Sequence, residues 1–190
     1  MDEVRSRHPR LRQALVADAR VAAFYRFERT EFSSRLDALL QILRLMWVSD
    51  AFLAQSLYRL KARLQAFGIP VLPRLAHRLA MAIAQVSIGD AALVHPGVYI
   101  IHGQVVIDGH VEIHPRVVIG PFVTIGLRGG DLFGPTIGSN VTIGTGAKVL
   151  GRIRVGEWAQ VGAGAVVVGD VPESTTVVGV PARPLSAKTP

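Results

Sequence analysis

The 190-residue chain has no cysteine, which excludes thiolate nucleophiles, thiolate metal sites and disulfides. Histidine is then the side chain best suited to moving protons near neutral pH. His102 has the most informative setting. It precedes Gly103 and lies where a pattern of period six takes seven residues, between Ile100 and Ile107. A broken local rule beside a proton-transferring side chain marks a candidate site. The other interruption is Leu127–Thr136 (LRGGDLFGPT), which contains Asp131 and Phe133. Four other histidines read as structural or surface residues. His95 opens a His-Pro corner, His110 and His114 flank a corner and a second His-Pro turn, and His77 sits among apolar residues.

The pattern that positions these residues runs from Ile88 to Val171. An aliphatic guide residue recurs at Ile88, Val94, Ile100, Ile107, Ile113, Ile119, Ile125, Ile137, Ile143, Val149, Val155, Val161 and Val167. Glycine often follows directly, and a small or β-branched residue sits four places on. Neither a helix nor an alternating strand gives this period; a parallel β-helix does. Each hexad supplies a short strand and a corner, and three hexads close a triangular coil. Glycine suits the corners, where positive φ or close backbone approach is needed. No coil buries its face alone, so the ends need caps. At Asp131 the guide position is charged, which a dry interior does not accept unpaired. Residues 127–136 are therefore expected to leave the coil as a loop.

Residues 1–87 differ in composition: Leu, Ala and Arg dominate and glycine is nearly absent. Helices are expected over Arg10–Glu31, from a Ser33/Ser34 cap to about Val48, from a Ser49 cap to Gly68, and over Leu75–Ala84, with Pro70 and Pro73 separating the last two. Their expected role is to cap the first coil and meet neighbouring chains. The apolar run Leu39–Trp47 fits such packing better than a membrane surface. Residues 172–190 form an extension, with an extended segment at Thr175–Val178 and a frayed tail from Ser186. The fold class is thus mainly β: a left-handed parallel β-helix (88–171) behind an α-helical N-terminal domain (1–87). The net charge of +7 comes from dispersed arginines without aromatic interleaving, so nucleic acid is not an expected partner. The start lacks the apolar core of a signal peptide, and no apolar run is long enough to span a membrane. A cytoplasmic protein is expected.

Three segments carry a family resemblance: SDAFLAQSLYRL through VHPG to IIHGQVVIDG, then GLRGGDLFGPTIG, then IGTGAKVLGRIRVGEWAQVGAGAVVVGDVPESTTVVGVPARPL. Here the chain resembles the hexapeptide-repeat acyltransferases, whose fold is the left-handed β-helix, and most of all bacterial serine O-acetyltransferases. The resemblance implies transfer of an acetyl group from acetyl-CoA to a hydroxyl, without metal or covalent enzyme intermediate, with His102 as catalytic base. CoA contacts are expected at Gly126, Thr145, Ala163 and Arg183, the pantetheine lying along the Gly144-Thr145 and Gly162-Ala163 corners. Arg183, Lys148, Arg152 or Arg154 would meet the phosphates. Asp131 and Phe133 are expected to face the acceptor.

This sequence departs from the family at the acceptor. Ile101 and Leu93 replace two acidic residues, and Asp131-Leu132-Phe133-Gly134-Pro135 replaces Asp-Arg-His-Pro. An amino-acid carboxylate would lose a charge-assisted partner worth roughly 1.5–3 kcal/mol, so a different hydroxyl compound (an amino-acid derivative, a sugar or a specialised metabolite) is expected as acceptor ahead of serine itself. The family also implies a homotrimer with a shared site, as such or as a dimer of trimers, packed through Val105, Val106, Val118, Phe122 and Trp158. Two rivals remain: a non-catalytic β-helix scaffold, and a metal-dependent carbonic anhydrase of the same fold using His102, His110 and His114 around zinc.

Overall fold

The computed structural model describes residues 7–185; the tail from Ser186 lies outside them. Among the described residues, four helices of three turns or more lead into the repeat: α1 (Leu11–Tyr25), α2 (Arg35–Val48), α3 (Asp50–Ala66) and α4 (Leu72–Ala84). Ser34 and Ser49 cap α2 and α3 as expected, accepting from the Asp37 and Phe52 amides. Two boundaries differ from expectation. α1 ends at Tyr25, six residues early, because Phe27 turns left-handed (φ 57°) and the Glu28 amide reaches back to the Ala23 carbonyl, a Schellman closure. α4 begins at Leu72 with Pro73 inside its first turn, where a missing N–H costs nothing.

The repeat forms a parallel β-helix of about five turns. Sheet A stacks β1 (Val86–Ile88), β4 (Val105–Ile107), β7 (Thr124–Gly126), β10 (Lys148–Leu150) and β13 (Val166–Val167). Sheet B stacks β2 (Leu93–Val94), β5 (His110–Ile113), β8 (Phe133–Ile137) and β11 (Arg154–Val155). Sheet C stacks β3 (Tyr99–Ile100), β6 (Val118–Ile119), β9 (Thr142–Ile143), β12 (Gln160–Val161) and β14 (Thr176–Val178), and β15 (Arg183–Pro184) closes its edge antiparallel. Guide residues pair in register from coil to coil, as in Ile88↔Ile107↔Ile125↔Val149↔Val167. The guides and the small residues four places on together form one continuous buried core. β-Branched side chains stack well in such pleated columns.

Both expected uses of glycine occur at the corners. At the B–C and C–A corners the left-handed residue usually stands three places after the guide; it is Gly97, Gly146 or Gly164 in some coils, and Arg116, Asn140, Trp158 or Phe122 in others. The glycine next to the guide has a different purpose. A Cβ on Gly144 would lie 2.6 Å from the Ala163 nitrogen, and one on Gly138 2.8 Å from the Glu157 nitrogen. These glycines let the next coil approach.

Helix α3 caps the first coil with hydrogen bonds as well as apolar packing. Gln55 donates to the Val98 carbonyl, Tyr58 to Ala92, Lys61 to Ile88, and Arg59 to Val94 and His95. Asp18 of α1 accepts from Arg59 and from the Gly97 amide. An open β-helix end would leave these backbone groups without partners. None of the described helices is long and apolar enough to cross a membrane. Of the residues expected on the outer face, Val106, Phe122 and Trp158 are exposed, whereas Val105 and Val118 are buried.

Candidate active site

His102 lies just past β3, at the corner between sheets C and A. The seventh residue that breaks the period is explained by what packs there. The Gln104 amide donates to the carbonyl of Ala84, the last residue of α4, at 2.9 Å. A Cβ on Gly103 would fall 1.8 Å from that same oxygen. The chain therefore needs glycine and one extra residue to pass the helix end, and the detour turns His102 outward. It is exposed and lines an open cavity of about 420 Å³ with Trp47, Asp50, Ile83 and Ile101.

The same corner repeats in the coils beyond. Backbone bonds from Ile101 to Ile119, Gly120 to Ile143, Gly144 to Val161 and Gly162 to Val177 show the column. Thus His102, Pro121, Thr145 and Ala163 occupy equivalent places in successive coils, about 4.8 Å apart. Glycine floors the column above His102, and the Thr145 and Ala163 amides have no backbone partner among the described residues. Lys148 borders this corner, its ammonium held by the Phe122 and Gly146 carbonyls. Arg183 pairs with Val178 on the sheet C edge and is exposed. Gly126 lies elsewhere, at the corner between sheets A and B, where a Cβ would meet the Asp108 carbonyl at 2.9 Å. Arg152 and Arg154 also lie away from the column, towards sheet B.

Asp131 and Phe133 are on that second face. The expected loop is shorter than 127–136, because β8 already begins at Phe133 and pairs with His110 across a bulge. Phe133 stacks on His110 at 5.2 Å, with the Arg152 guanidinium 4.9 Å from its ring centre. The Asp131 carboxylate turns inward on its own loop, accepting from the Phe133 amide at 2.9 Å. Phe133, Leu93, His110, Glu112, Arg152 and Arg7 line a cavity of about 480 Å³. Within one chain this wall and His102 belong to different faces of the prism.

The three histidines of the zinc alternative are likewise separated: His102 at the C–A corner, His110 on sheet B, His114 at the B–C corner. Among the described residues, the group that does form is His95, Glu112 and His114. His95 Nε2 lies 2.9 Å and His114 Nε2 4.0 Å from Glu112 Oε1, and Arg7 Nη2 lies 2.6 Å from the same oxygen. Burial pushes the Glu112 carboxyl up, but hydrogen bonds from His95 and Arg7 hold it below the ordinary glutamate value. Sequence reasoning missed Glu112. Its signal was Glu112-Ile113-His114-Pro115 repeating Leu93-Val94-His95-Pro96 one coil later, with Leu93 and Glu112 paired in sheet B.

The bacterial transferase hexapeptide (six repeats) family model matches residues 134–169. A serine acetyltransferase from Synechocystis sp. is 38% identical over 173 residues, spanning 90% of this chain and 66% of that relative. Soybean serine acetyltransferase complexed with serine superposes with a TM-score of 0.76 at 35% identity, over 95% of this chain and 71% of that one. The chain belongs to the hexapeptide-repeat acyltransferases of the serine acetyltransferase type. A serine acetyltransferase in complex with CoA also superposes, with a TM-score of 0.75 at 28% identity over 96% of this chain and 73% of that one. The chain thus spans a little under two thirds of its Synechocystis relative in this family.

Proposed function

We propose that the protein transfers an acetyl group from acetyl-CoA to an acceptor hydroxyl, with His102 as general base. The observation that carries this reading is the column in which His102 shares a corner with the glycine-floored amides of Thr145 and Ala163. Three coil spacings, about 14 Å, give a pantetheine arm an extended track ending at the imidazole. The imidazole takes the hydroxyl proton as oxygen attacks the thioester carbonyl, and the new C–O bond forms. The Gly103 amide, next to His102 and without a backbone partner among the described residues, is the donor at hand for the oxyanion. The C–S bond then breaks, and the leaving thiolate takes the proton from the imidazolium. Lys148 and Arg183 are the cations of the expected set nearest this track; Gly126 is a second-face residue in this reading.

The acceptor lies between His102 of one protomer and the sheet B wall of the next in a homotrimer. That wall offers Phe133, Leu93 and His110, with Glu112 as its carboxylate, and lacks an arginine at position 132. It favours a larger or less charged hydroxyl compound over free serine: a sugar, an amino-acid derivative or a specialised metabolite.

The test is acceptor profiling with acetyl-CoA, read by mass spectrometry, for wild type and His102→Ala. Acetylation of a non-serine hydroxyl that falls by about 10²–10⁴ in kcat in the variant, with the KM for acetyl-CoA nearly unchanged, is the expected result. Ordinary turnover of free serine would overturn the acceptor assignment, and full turnover by the variant would overturn the base. No thermal stabilisation by millimolar CoA would favour a scaffold.

A further inference from the structure

The His95, Glu112 and His114 group has no part in the transfer as proposed beyond the Glu112 carboxylate, and its geometry follows from the repeat itself. Each histidine directly follows an inward guide, Val94 or Ile113, and those guides are register partners in sheet B. The His95 amide donates to the Ile113 carbonyl at 2.8 Å, which sets one imidazole directly above the other. The rings stack at 4.9 Å between centres, 14° from parallel. Glu112 is the outward neighbour of Ile113, so its carboxylate reaches the edge of both rings.

We infer that these three residues form a binding site for a divalent transition metal of the zinc class, tying the first coil of the β-helix to the second. One ligand atom from each residue lies within 4.8 Å of the other two. Metal–ligand bonds of about 2.0–2.2 Å place tetrahedral ligands roughly 3.4 Å apart. The 2.9 and 4.0 Å separations from Glu112 Oε1 bracket that value; the nearly parallel rings direct their Nε2 lone pairs side by side, so metal binding requires the two partly exposed imidazoles to tilt toward each other. Two imidazoles and a carboxylate are the borderline donors that zinc, cobalt(II) and nickel(II) accept, and that calcium and magnesium do not. Arg7 now neutralises the carboxylate, and a bound cation would take its place. Both imidazoles then present a lone pair at Nε2 and carry their proton on Nδ1. Three protein ligands leave the fourth position to water or to an acceptor heteroatom.

The test uses tag-free, full-length protein stripped with a chelator and titrated with zinc by calorimetry and with cobalt(II) by visible absorption. One equivalent per chain is expected, with micromolar or tighter affinity, tetrahedral cobalt bands and a rise of several degrees in Tm on loading. His95→Ala, His114→Ala and the isosteric Glu112→Gln each weaken binding at least tenfold. Arg7→Ala tightens it, and His77→Ala leaves it unchanged. Far-UV circular dichroism confirms the fold of each variant. Millimolar binding, or zinc affinity unchanged in the His95→Ala/His114→Ala double variant, overturns the site. Weaker binding in Arg7→Ala removes Glu112 as a ligand. The result does not depend on acetyl transfer, so failure of either reading leaves the other testable.

Discussion

At the residue scale, His8 couples the fold to pH. It packs edge-on against Tyr58, and burial, followed by the charges of Arg59, Lys61 and His95, lowers its pKa from 6.5 to about 4. A histidine whose folded pKa is depressed binds fewer protons than the unfolded chain between those values. Its contribution is therefore fully present above about pH 6.5 and is lost as pH falls towards 4. His8 is partly exposed, so solvent screening reduces the effect to about 1–2 kcal/mol. The acid-induced drop in urea midpoint between pH 7 and 4.5 should be smaller in His8→Gln than in wild type. Equal drops would show that the site does not resist protonation. His102 can be singled out from the sequence because the break in period and the following glycine lie beside it, whereas the importance of Glu112 depends on a histidine 17 places away being stacked one coil below.

At the element scale, the sequence pattern specified the coil because every guide position repeats one local instruction. The helix ends and the loop were less legible, since contacts from other elements decide them. Phe27 ends α1 by a backbone turn that an aromatic residue does not advertise. Phe133 draws β8 forward because it finds His110 and Arg152, so the charge at Asp131 marks the loop but not its end. The corner at His102 is the sharpest meeting of elements, since the C-terminal carbonyl of α4 occupies the place a side chain at 103 would need. A clash with backbone cannot be relieved by a rotamer change. Gly103→Ala should cost about 1–3 kcal/mol and lower kcat by displacing His102. Gly169→Ala, where a Cβ meets nothing within 4 Å, should stay within about 0.5 kcal/mol of wild type. Urea melts of the two variants, with activity measured alongside, check this. Equal stability in both would mean that α4 does not hold the corner.

At the scale of the whole molecule, the site proposed above is divided in a way that one chain does not complete. His102 and its track occupy one corner of the prism, and Phe133, His110 and Glu112 stand on another face. Exposed apolar residues lie at both regions, Trp47 and Ile83 at the His102 cavity and Leu132 and Phe133 at the sheet B wall, and Phe122 and Trp158 stand out at corners of the prism. Large exposed aromatics in such positions favour side-by-side packing. In the homotrimer proposed above, the corner of each chain would meet the face of the next through heterologous contacts that close a ring. Light scattering should then give a trimer or a multiple of it, but mass alone does not show that a site is shared. Complementation does. His102→Ala removes the base and Glu112→Gln removes the wall carboxylate, so homotrimers of either variant should have low activity. When equal amounts are unfolded together and refolded, a site is intact only where a Glu112→Gln chain supplies His102 and its neighbour, a His102→Ala chain, supplies the wall. Random assembly makes that about one site in four, so activity should return to about a quarter of wild type. Sites built within single chains would show no recovery, because every chain carries one of the two lesions.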